Sequence, residues 1–213
     1  GASWVLAQVG AHVVLNDYKP MTLPTAEEKR LVAAGVNIIT GRQDESLLDG
    51  VDRIVISPGI SLDIPIVKAA QAHGIDVVSE VELAYEVSKS PIVAVTGTNG
   101  KTTTTTLLTK VLGGSGKPVH VGGNIGDSLS EVAYSMPAGG FLVAELSSYQ
   151  LETIKHFRPI GAIMLNITPD HLARHKTMEN YIAAKERIFE NQLSTDYLVL
   201  NIDDPVAVSY THL

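Results

Sequence analysis

The sequence predicts an α/β protein in which parallel sheets are covered by helices on both faces. Three observations carry that reading. Short β-branched runs alternate with stretches of helical apolar spacing along most of the chain. Most of the strand candidates are continuous apolar runs, which is how strands buried on both faces read. A Gly-Lys-Thr triplet, Gly100-Lys101-Thr102, stands where one such run gives way to a helix.

Residues 1–10 read as a helix with no strand before it. Strands are predicted at 12–16, 37–40, 53–57 and 76–79, with helices at 25–34, 64–73 and 81–88 between or after them. Further strands are predicted at 92–96, 118–121, 141–146, 161–167 and 197–201, with helices at 101–112 and 178–191. A doubly wound domain normally opens on its central strand and a glycine-rich turn. Gly1 therefore reads as the last glycine of such a turn, and the strands at 12–16 and 53–57 are expected to lack a neighbour. A further helix is expected to begin after Asn201-Ile202-Asp203-Asp204-Pro205. The expectation is a piece of a longer protein, cut at both ends. The polar, proline-ended Ser88-Lys89-Ser90-Pro91 is the predicted boundary, dividing the chain into 1–89 and 90–213.

Composition narrows the function. The 213 residues carry 16 Lys+Arg against 23 Asp+Glu, a net charge of −7 that argues against a nucleic-acid-binding surface. The absence of cysteine excludes a disulfide scaffold and a thiolate zinc site and fits a reducing compartment. No run of 18 apolar residues occurs, so no membrane-spanning helix is expected, and the N-terminus lacks the basic stretch of a signal peptide. The expected location is the cytoplasm.

The strongest chemical signal is Thr96-Gly97-Thr98-Asn99-Gly100-Lys101-Thr102-Thr103. An apolar strand runs into a short glycine-containing loop and then a helix. Glycines let backbone N–H groups turn toward phosphate oxygens, and the helix N-terminus adds a favourable dipole. Lys101 is placed to reach the β- and γ-phosphates, and the Thr102 hydroxyl to ligate Mg²⁺. The spacing departs from the common Walker loop, which needs glycine where this chain has Val95. Such a fold also needs an acid at the end of a neighbouring strand, and Glu145 follows four apolar residues, Phe141 to Ala144.

Two further groups stand out. His171 follows the strand at 161–167 and reads either as a packed loop histidine or as a metal ligand; a His171/His175 zinc pair is the rival arrangement. Lys185 lies on the apolar face of the 178–191 helix with Tyr181, Ile182, Ile188 and Phe189. It reads either as a lysine that snorkels to water or as a desolvated amine of lowered pKa.

Taken together, Gly97–Thr103, Glu145-Leu-Ser-Ser-Tyr-Gln-Leu-Glu152, Asn166-x-x-x-Asp170-His171 and Lys185 resemble the Mur ligases of peptidoglycan synthesis. Ser57-Pro58-Gly59-Ile60, Glu80-Val-Glu82-Leu and Gly123-Asn124-Ile-Gly126 point within that family to the branch that adds D-glutamate. The resemblance implies three domains: a Rossmann-like domain for a UDP-sugar, here without its first strand; a P-loop-type ATPase domain, here incomplete; and an amino-acid-binding domain absent from this chain. It implies an ATP-dependent ligase that joins D-glutamate to UDP-N-acetylmuramoyl-L-alanine through an acyl phosphate. With the composition, the expected partners are those substrates and ATP, without nucleic acid or membrane insertion; a monomer is favoured, the oligomeric state being left open.

By the same resemblance, Gly97, Thr98, Asn99, Gly100, Lys101, Thr102 and Thr103 hold the ATP phosphates. Thr102 and Glu145 hold one Mg²⁺, and His171 holds a second together with Lys185 as a carbamate. Asn124 and Ser147 contact the muramoyl substrate, while Asp17, Tyr18, Ser57, Pro58 and Gly59 sit where the family binds uridine diphosphate. The chain departs from the family at Ala173, where Asp is common, and at Lys176, where a small residue is usual; both bear on the orientation of Arg174. Residues 208–213 also read as a departure. The competing functions are another Mur ligase, a folylpolyglutamate synthase-like ligase, and a nucleotide-binding fragment without turnover.

Overall fold

The computed structural model describes residues 1–208 and divides into two compact units, Gly1–Val78 and Ser79–Leu213. The last residues set apart by the sequence reading, 209–213, lie outside the described residues.

In the first unit, helix α1 (Ala2–Gln8) leads to strand β1 (Val14–Asp17), helix α2 (Thr25–Ala33) and strand β2 (Asn37–Thr40). The two strands pair in parallel, with Val14 opposite Asn37 and Asp17 opposite Thr40. A 3₁₀ turn (Glu45–Leu48) follows, then strand β3 (Arg53–Ile56), helix α3 (Pro65–Ala72) and strand β4 (Asp76–Ser79). Pro65 sits in the first turn of α3, where its missing N–H costs no intrahelical bond. Strands β3 and β4 form their own two-stranded sheet, so β1 and β3 do not share one continuous sheet. Leu48, Ile56, Ile66, Val67, Ala70 and Val77 form the apolar cluster beneath this second sheet.

The second unit opens with helix α4 (Glu80–Val87). The sequence places this helix before the boundary at Ser88–Pro91, whereas the structure packs it on the later part of the chain. Val81 and Ala84 join a core with Ile92, Leu129, Leu142 and Phe157. Glu82, fully buried, accepts from the backbone N–H groups of Lys155 (2.8 Å), His156 (2.7 Å) and Phe157 (3.1 Å). A carboxylate buried at this depth is tolerable because three donors replace its water.

Strand β5 (Ile92–Thr96), helix α5 (Lys101–Gly113), strand β6 (Val119–Gly123), helix α6 (Leu129–Ser135) and strand β7 (Phe141–Glu145) follow. Next come helix α7 (Ser148–Leu151), strand β8 (Gly161–Met164), helices α8 (Leu172–His175) and α9 (Met178–Glu186), strand β9 (Tyr197–Leu200) and helix α10 (Pro205–Val208). The five strands lie in the order β6-β7-β5-β8-β9, all parallel. From central β5 the chain steps past β7 to the edge at β6, then returns across the sheet through β7, β8 and β9. That reversal opens a crevice at the carboxyl ends of the strands, where open α/β sheets take their ligands.

Several elements differ from expectation, the short helices α7 and α8 and the 3₁₀ turn at Glu45–Leu48 among them, which have no predicted counterpart. Helix α6 has no predicted counterpart; Leu129 and Ala133 are buried in the core it shares with α4, a pairing no local pattern announces. The predicted helix at 178–191 ends at Glu186 and tightens into a 3₁₀ turn (Arg187–Phe189). There the Arg187 guanidinium donates to the carbonyls of Glu152 and Ile154. Strand β8 stops at Met164 rather than residue 167, because Asn166 and Thr168 turn to bond the loop after β5. Among the described residues no helix is long and apolar enough to cross a membrane.

Candidate active site at the carboxyl ends of the sheet

The loop between β5 and α5 is held from two directions. Gly97 has φ +147°, and a Cβ there would meet the Leu165 Cβ at 3.0 Å and the Asn166 backbone at 3.3 Å. Only glycine allows that approach. The loop then bonds the chain leaving β8. The Thr98 N–H donates to the Asn166 carbonyl (2.8 Å), and the Asn99 N–H donates to the Asn166 side-chain oxygen (2.9 Å). The Asn166 amide in turn donates to the Asn99 carbonyl (3.0 Å). Thr98 Oγ1 donates to the Thr168 carbonyl (3.1 Å), accepts from the Thr168 N–H (3.0 Å) and lies 3.1 Å from the Tyr181 hydroxyl. Gly100, at φ +84°, caps α5, so Lys101, Thr102 and Thr103 form its first turn.

Two amines converge on this loop. Lys101 Nζ donates to the carbonyls of Gly97 (3.0 Å) and Thr98 (2.9 Å). Lys185 Nζ donates to the same Gly97 carbonyl (2.8 Å) and lies 4.8 Å from the centre of the Tyr181 ring. Lys185 is only 2% exposed, so it does not snorkel to water. Burial first, and the Lys101 charge second, push its pKa down to about 7, with Asp170 opposing both.

Glu145, 1% exposed, ends β7 beside the loop strand. Its Oε1 accepts from the Asn124 amide (3.0 Å), and its Oε2 is buried without a hydrogen-bond partner among the described residues. Gly123 allows this closeness: a Cβ there would stand 2.3 Å from the Glu145 carbonyl oxygen. A buried, half-satisfied carboxylate is costly unless a cation completes it. Ser147 caps α7 through a reciprocal capping box with Gln150.

His171, exposed and at φ +53°, caps α8; its Nε2 stands 3.4 Å from Asp170 Oδ2, and its ring faces Tyr149 at 5.0 Å. The ring also meets the edge of Tyr181 at 6.4 Å, so His171 and Lys185 border the same tyrosine. His175 has other partners: its Nε2 lies 2.8 Å from Ser148 Oγ and its Nδ1 3.5 Å from Glu152 Oε1. Burial holds its pKa below the ordinary imidazole value, against the pull of Glu152. The rival zinc pair finds no support in this geometry, and among the described residues no three His, Asp or Glu side chains gather as a metal cluster.

Arg174 is fixed by Glu152 (2.6 Å) and lies over the Tyr149 ring at 5.5 Å. Lys176 adopts φ +72° and ψ −45°, a conformation glycine takes without strain. Lys176→Gly is expected to raise the unfolding free energy by about 0.5–1 kcal/mol, read as a higher denaturant midpoint. A lower midpoint contradicts the strain.

In the first unit, Asp17 ends β1 and takes the Lys19 N–H on its carboxylate (2.8 Å), while Tyr18 is 68% exposed. Ser57, Pro58 and Gly59 form the turn after β3, closed by the Ile60 N–H on the Ser57 carbonyl (3.0 Å). Each group stands at the carboxyl end of its strand.

Comparison with known proteins gives this geometry a family. Residues 95–212, more than half of the chain, match the profile described as the Mur ligase middle domain. The chain belongs to the Mur ligase family. Residues 3–79 match the MurD-like N-terminal domain of Mur ligases, and the middle-domain match runs through most of 208–213. The chain is 50% identical over 202 residues to a UDP-N-acetylmuramoylalanine–D-glutamate ligase of Caldanaerobacter subterraneus, covering 95% of this chain and 45% of that protein. It is 47% identical over 205 residues to the ligase of the same name from Halalkalibacterium halodurans, covering 96% and 45%. The chain thus spans less than half the length of these relatives.

Among solved structures, a UDP-N-acetylmuramate:L-alanyl-γ-D-glutamyl-meso-diaminopimelate ligase from Neisseria meningitides aligns with TM-score 0.64 at 22% identity, over 100% of this chain and 70% of that one. The UDP-N-acetylmuramate–alanine ligase MurC of Thermotoga maritima aligns with TM-score 0.54 at 24% identity, over 96% and 46%. These likenesses support the α/β fold of the Mur ligases. Asn166, Thr168, Tyr181, Ser148 and Glu152 complete the site's framework but were not assigned roles from the sequence. The available signal was the place of Asn166, Thr168, Ser148 and Glu152 within the family motifs and of Tyr181 on the apolar helix face with Lys185.

Proposed function

We propose that the full-length protein is an ATP-dependent ligase that joins D-glutamate to UDP-N-acetylmuramoyl-L-alanine in cytoplasmic peptidoglycan synthesis, with the cell-division role that this step carries. The observation that carries the proposal is the phosphate loop beside a buried, half-satisfied carboxylate, in a chain half identical to ligases of that name. In this reading the loop from Gly97 to Thr103 binds the ATP phosphates through its backbone N–H groups. Lys101 leaves the Gly97 and Thr98 carbonyls to meet the transferring phosphoryl group. The substrate's carboxylate takes that phosphoryl group, the D-glutamate amine attacks the resulting acyl carbon, and phosphate leaves.

The residues present fit Mg²⁺. The unpartnered Oε2 of Glu145 and the Thr102 hydroxyl supply hard oxygen ligands, and Mg²⁺ commonly completes such a set with substrate phosphates. Bound there, the ion would neutralise phosphate charge. His171 and a carbamylated Lys185 would serve a second ion. Asn124 and Ser147 face the muramoyl substrate, and Asp17, Tyr18, Ser57, Pro58 and Gly59 take the uridine diphosphate. The test is ADP release by the full-length protein, which is expected only when UDP-N-acetylmuramoyl-L-alanine and D-glutamate are both present. Equal release with L-lysine or a folate in their place overturns the assignment.

A further inference from the structure

We infer that His175 is a positioning residue for His171, acting through a buried hydrogen-bonded and stacked cluster that joins the loop after β7 to the loop after β8. This rests on the ligase reading of the site. His175 sits at the end of the one-turn helix α8, four residues beyond His171, with its side chain 3% exposed. Its ring is fixed along three directions. Nε2 lies 2.8 Å from Ser148 Oγ, and Nδ1 faces the Glu152 carboxylate at 3.5 Å. The ring stacks on Tyr149 at 5.4 Å and 15° and also contacts Tyr181 at 5.3 Å.

Tyr149 is the link. One side of its environment is the His175 ring, and another is the His171 ring at 5.0 Å. Tyr181 borders both histidines and reaches Thr98 of the phosphate loop through its hydroxyl, 3.1 Å away. His171 itself is exposed and, apart from Asp170, is bounded by these aromatic rings. A four-residue helix has little stability of its own, so the placement of α8 depends on what its last residue grips. His175 grips Ser148, the first residue of α7, and Asn180 Nδ2 holds the His175 carbonyl at 2.8 Å.

The order Ser148, His175, Glu152 has the form of a nucleophile, base and acid, but its surroundings give it a different task. Ser148 is 1% exposed, and Arg174 claims Glu152 through a 2.6 Å ion pair. A nucleophile needs access to its substrate, and this hydroxyl has none. What remains is orientation: outer residues that hold a reacting group's support commonly change rate by about 10- to 100-fold when removed.

The test compares Ser148→Ala, His175→Ala and His175→Gln in the full-length protein by two readouts. The first is the ¹H–¹³C spectrum of ring-labelled histidine, with His171→Ala giving the assignment. The His171 ring resonance is expected to move in Ser148→Ala and His175→Ala, because the Tyr149 ring beside it is released. His175→Gln retains an amide able to bond Ser148 and is expected to return the resonance part of the way. The second readout is turnover: kcat is expected to fall about 10-fold or more in His175→Ala with KM for ATP within about threefold. Ser148→Ala removes one oxygen atom and keeps the measurement open if His175→Ala does not fold. An unmoved His171 resonance in folded Ser148→Ala overturns the inference whatever the turnover. A moved resonance in a parent protein without D-glutamate-dependent ADP release upholds the inference and overturns the ligase reading.

Discussion

Lys185→Ala in the full-length protein is expected to lower kcat by on the order of 10³-fold or more, with partial rescue by added short-chain carboxylic acids. The expectation follows from an amine that is 2% exposed, bonded to the Gly97 carbonyl, and pushed down by burial to a pKa of about 7. An ordinary lysine, near 10.4, is almost wholly protonated at neutral pH and cannot use its lone pair. A neutral Nζ forms an N–C bond to carbon dioxide and loses a proton to water, leaving a carbamate anion. That product would have the charge and shape of a carboxylate, so a small carboxylic acid entering the space left by alanine is expected to restore part of the function. The sign of the pH effect follows from the neutral fraction. At fixed dissolved carbon dioxide, reactivation of decarboxylated enzyme is expected to be faster above about pH 7 than below it. Ordinary activity in Lys185→Ala, with no dependence on bicarbonate, contradicts this account.

Lys101→Ala is expected to lower kcat by about 10²- to 10³-fold, the usual effect of deleting one preorganised charge at a transition state. Lys101 now bridges two carbonyls of the loop it would leave, so its removal also frees Gly97 and Thr98. Glu145→Ala is expected to raise the Mg²⁺ concentration needed for half-maximal activity and to lower kcat comparably. Its effect should not appear as a loss of adenine binding, because the Glu145 carboxylate is buried at the end of β7 with Asn124 on one oxygen and no partner among the described residues on the other. Steady-state kinetics with Mg²⁺ titration and nucleotide binding by calorimetry separate these outcomes. Activity within about threefold of the parent for either variant contradicts the phosphate-loop assignment.

Much of this site was legible because its signals are local. The apolar run 92–96 followed by Gly97 and Gly100-Lys101-Thr102 places a glycine-containing loop between β5 and α5, and Phe141–Glu145 places an acid on the adjacent strand. Lys185 was legible as an anomaly, a charge on an apolar face. The sequence could not choose between snorkelling and burial, because that choice depends on β5 and Tyr181 standing over it. His175 was legible only as the second half of an i, i+4 histidine pair; its partner Ser148 is 27 positions away. Helix α4 illustrates the same limit for domains. The Ser88–Pro91 break looks like a linker, yet the buried carboxylate of Glu82 ties α4 to residues 155–157 beyond it. Composition shifts mark where a chain can turn, whereas distant hydrogen bonds decide which unit owns a helix.

The most direct test of the central claim follows oxygen through the reaction. UDP-N-acetylmuramoyl-L-alanine labelled with ¹⁸O in its terminal carboxylate is incubated with the full-length protein, ATP, Mg²⁺ and D-glutamate, and the inorganic phosphate is analysed by ³¹P NMR. If the phosphoryl group held at the β5–α5 loop passes to that carboxylate, each phosphate released carries one labelled oxygen, because the acyl C–O bond breaks when the amine attacks. Phosphate free of label, released at the rate of peptide-bond formation, would mean that ATP is hydrolysed by water and that this loop does not activate the carboxylate.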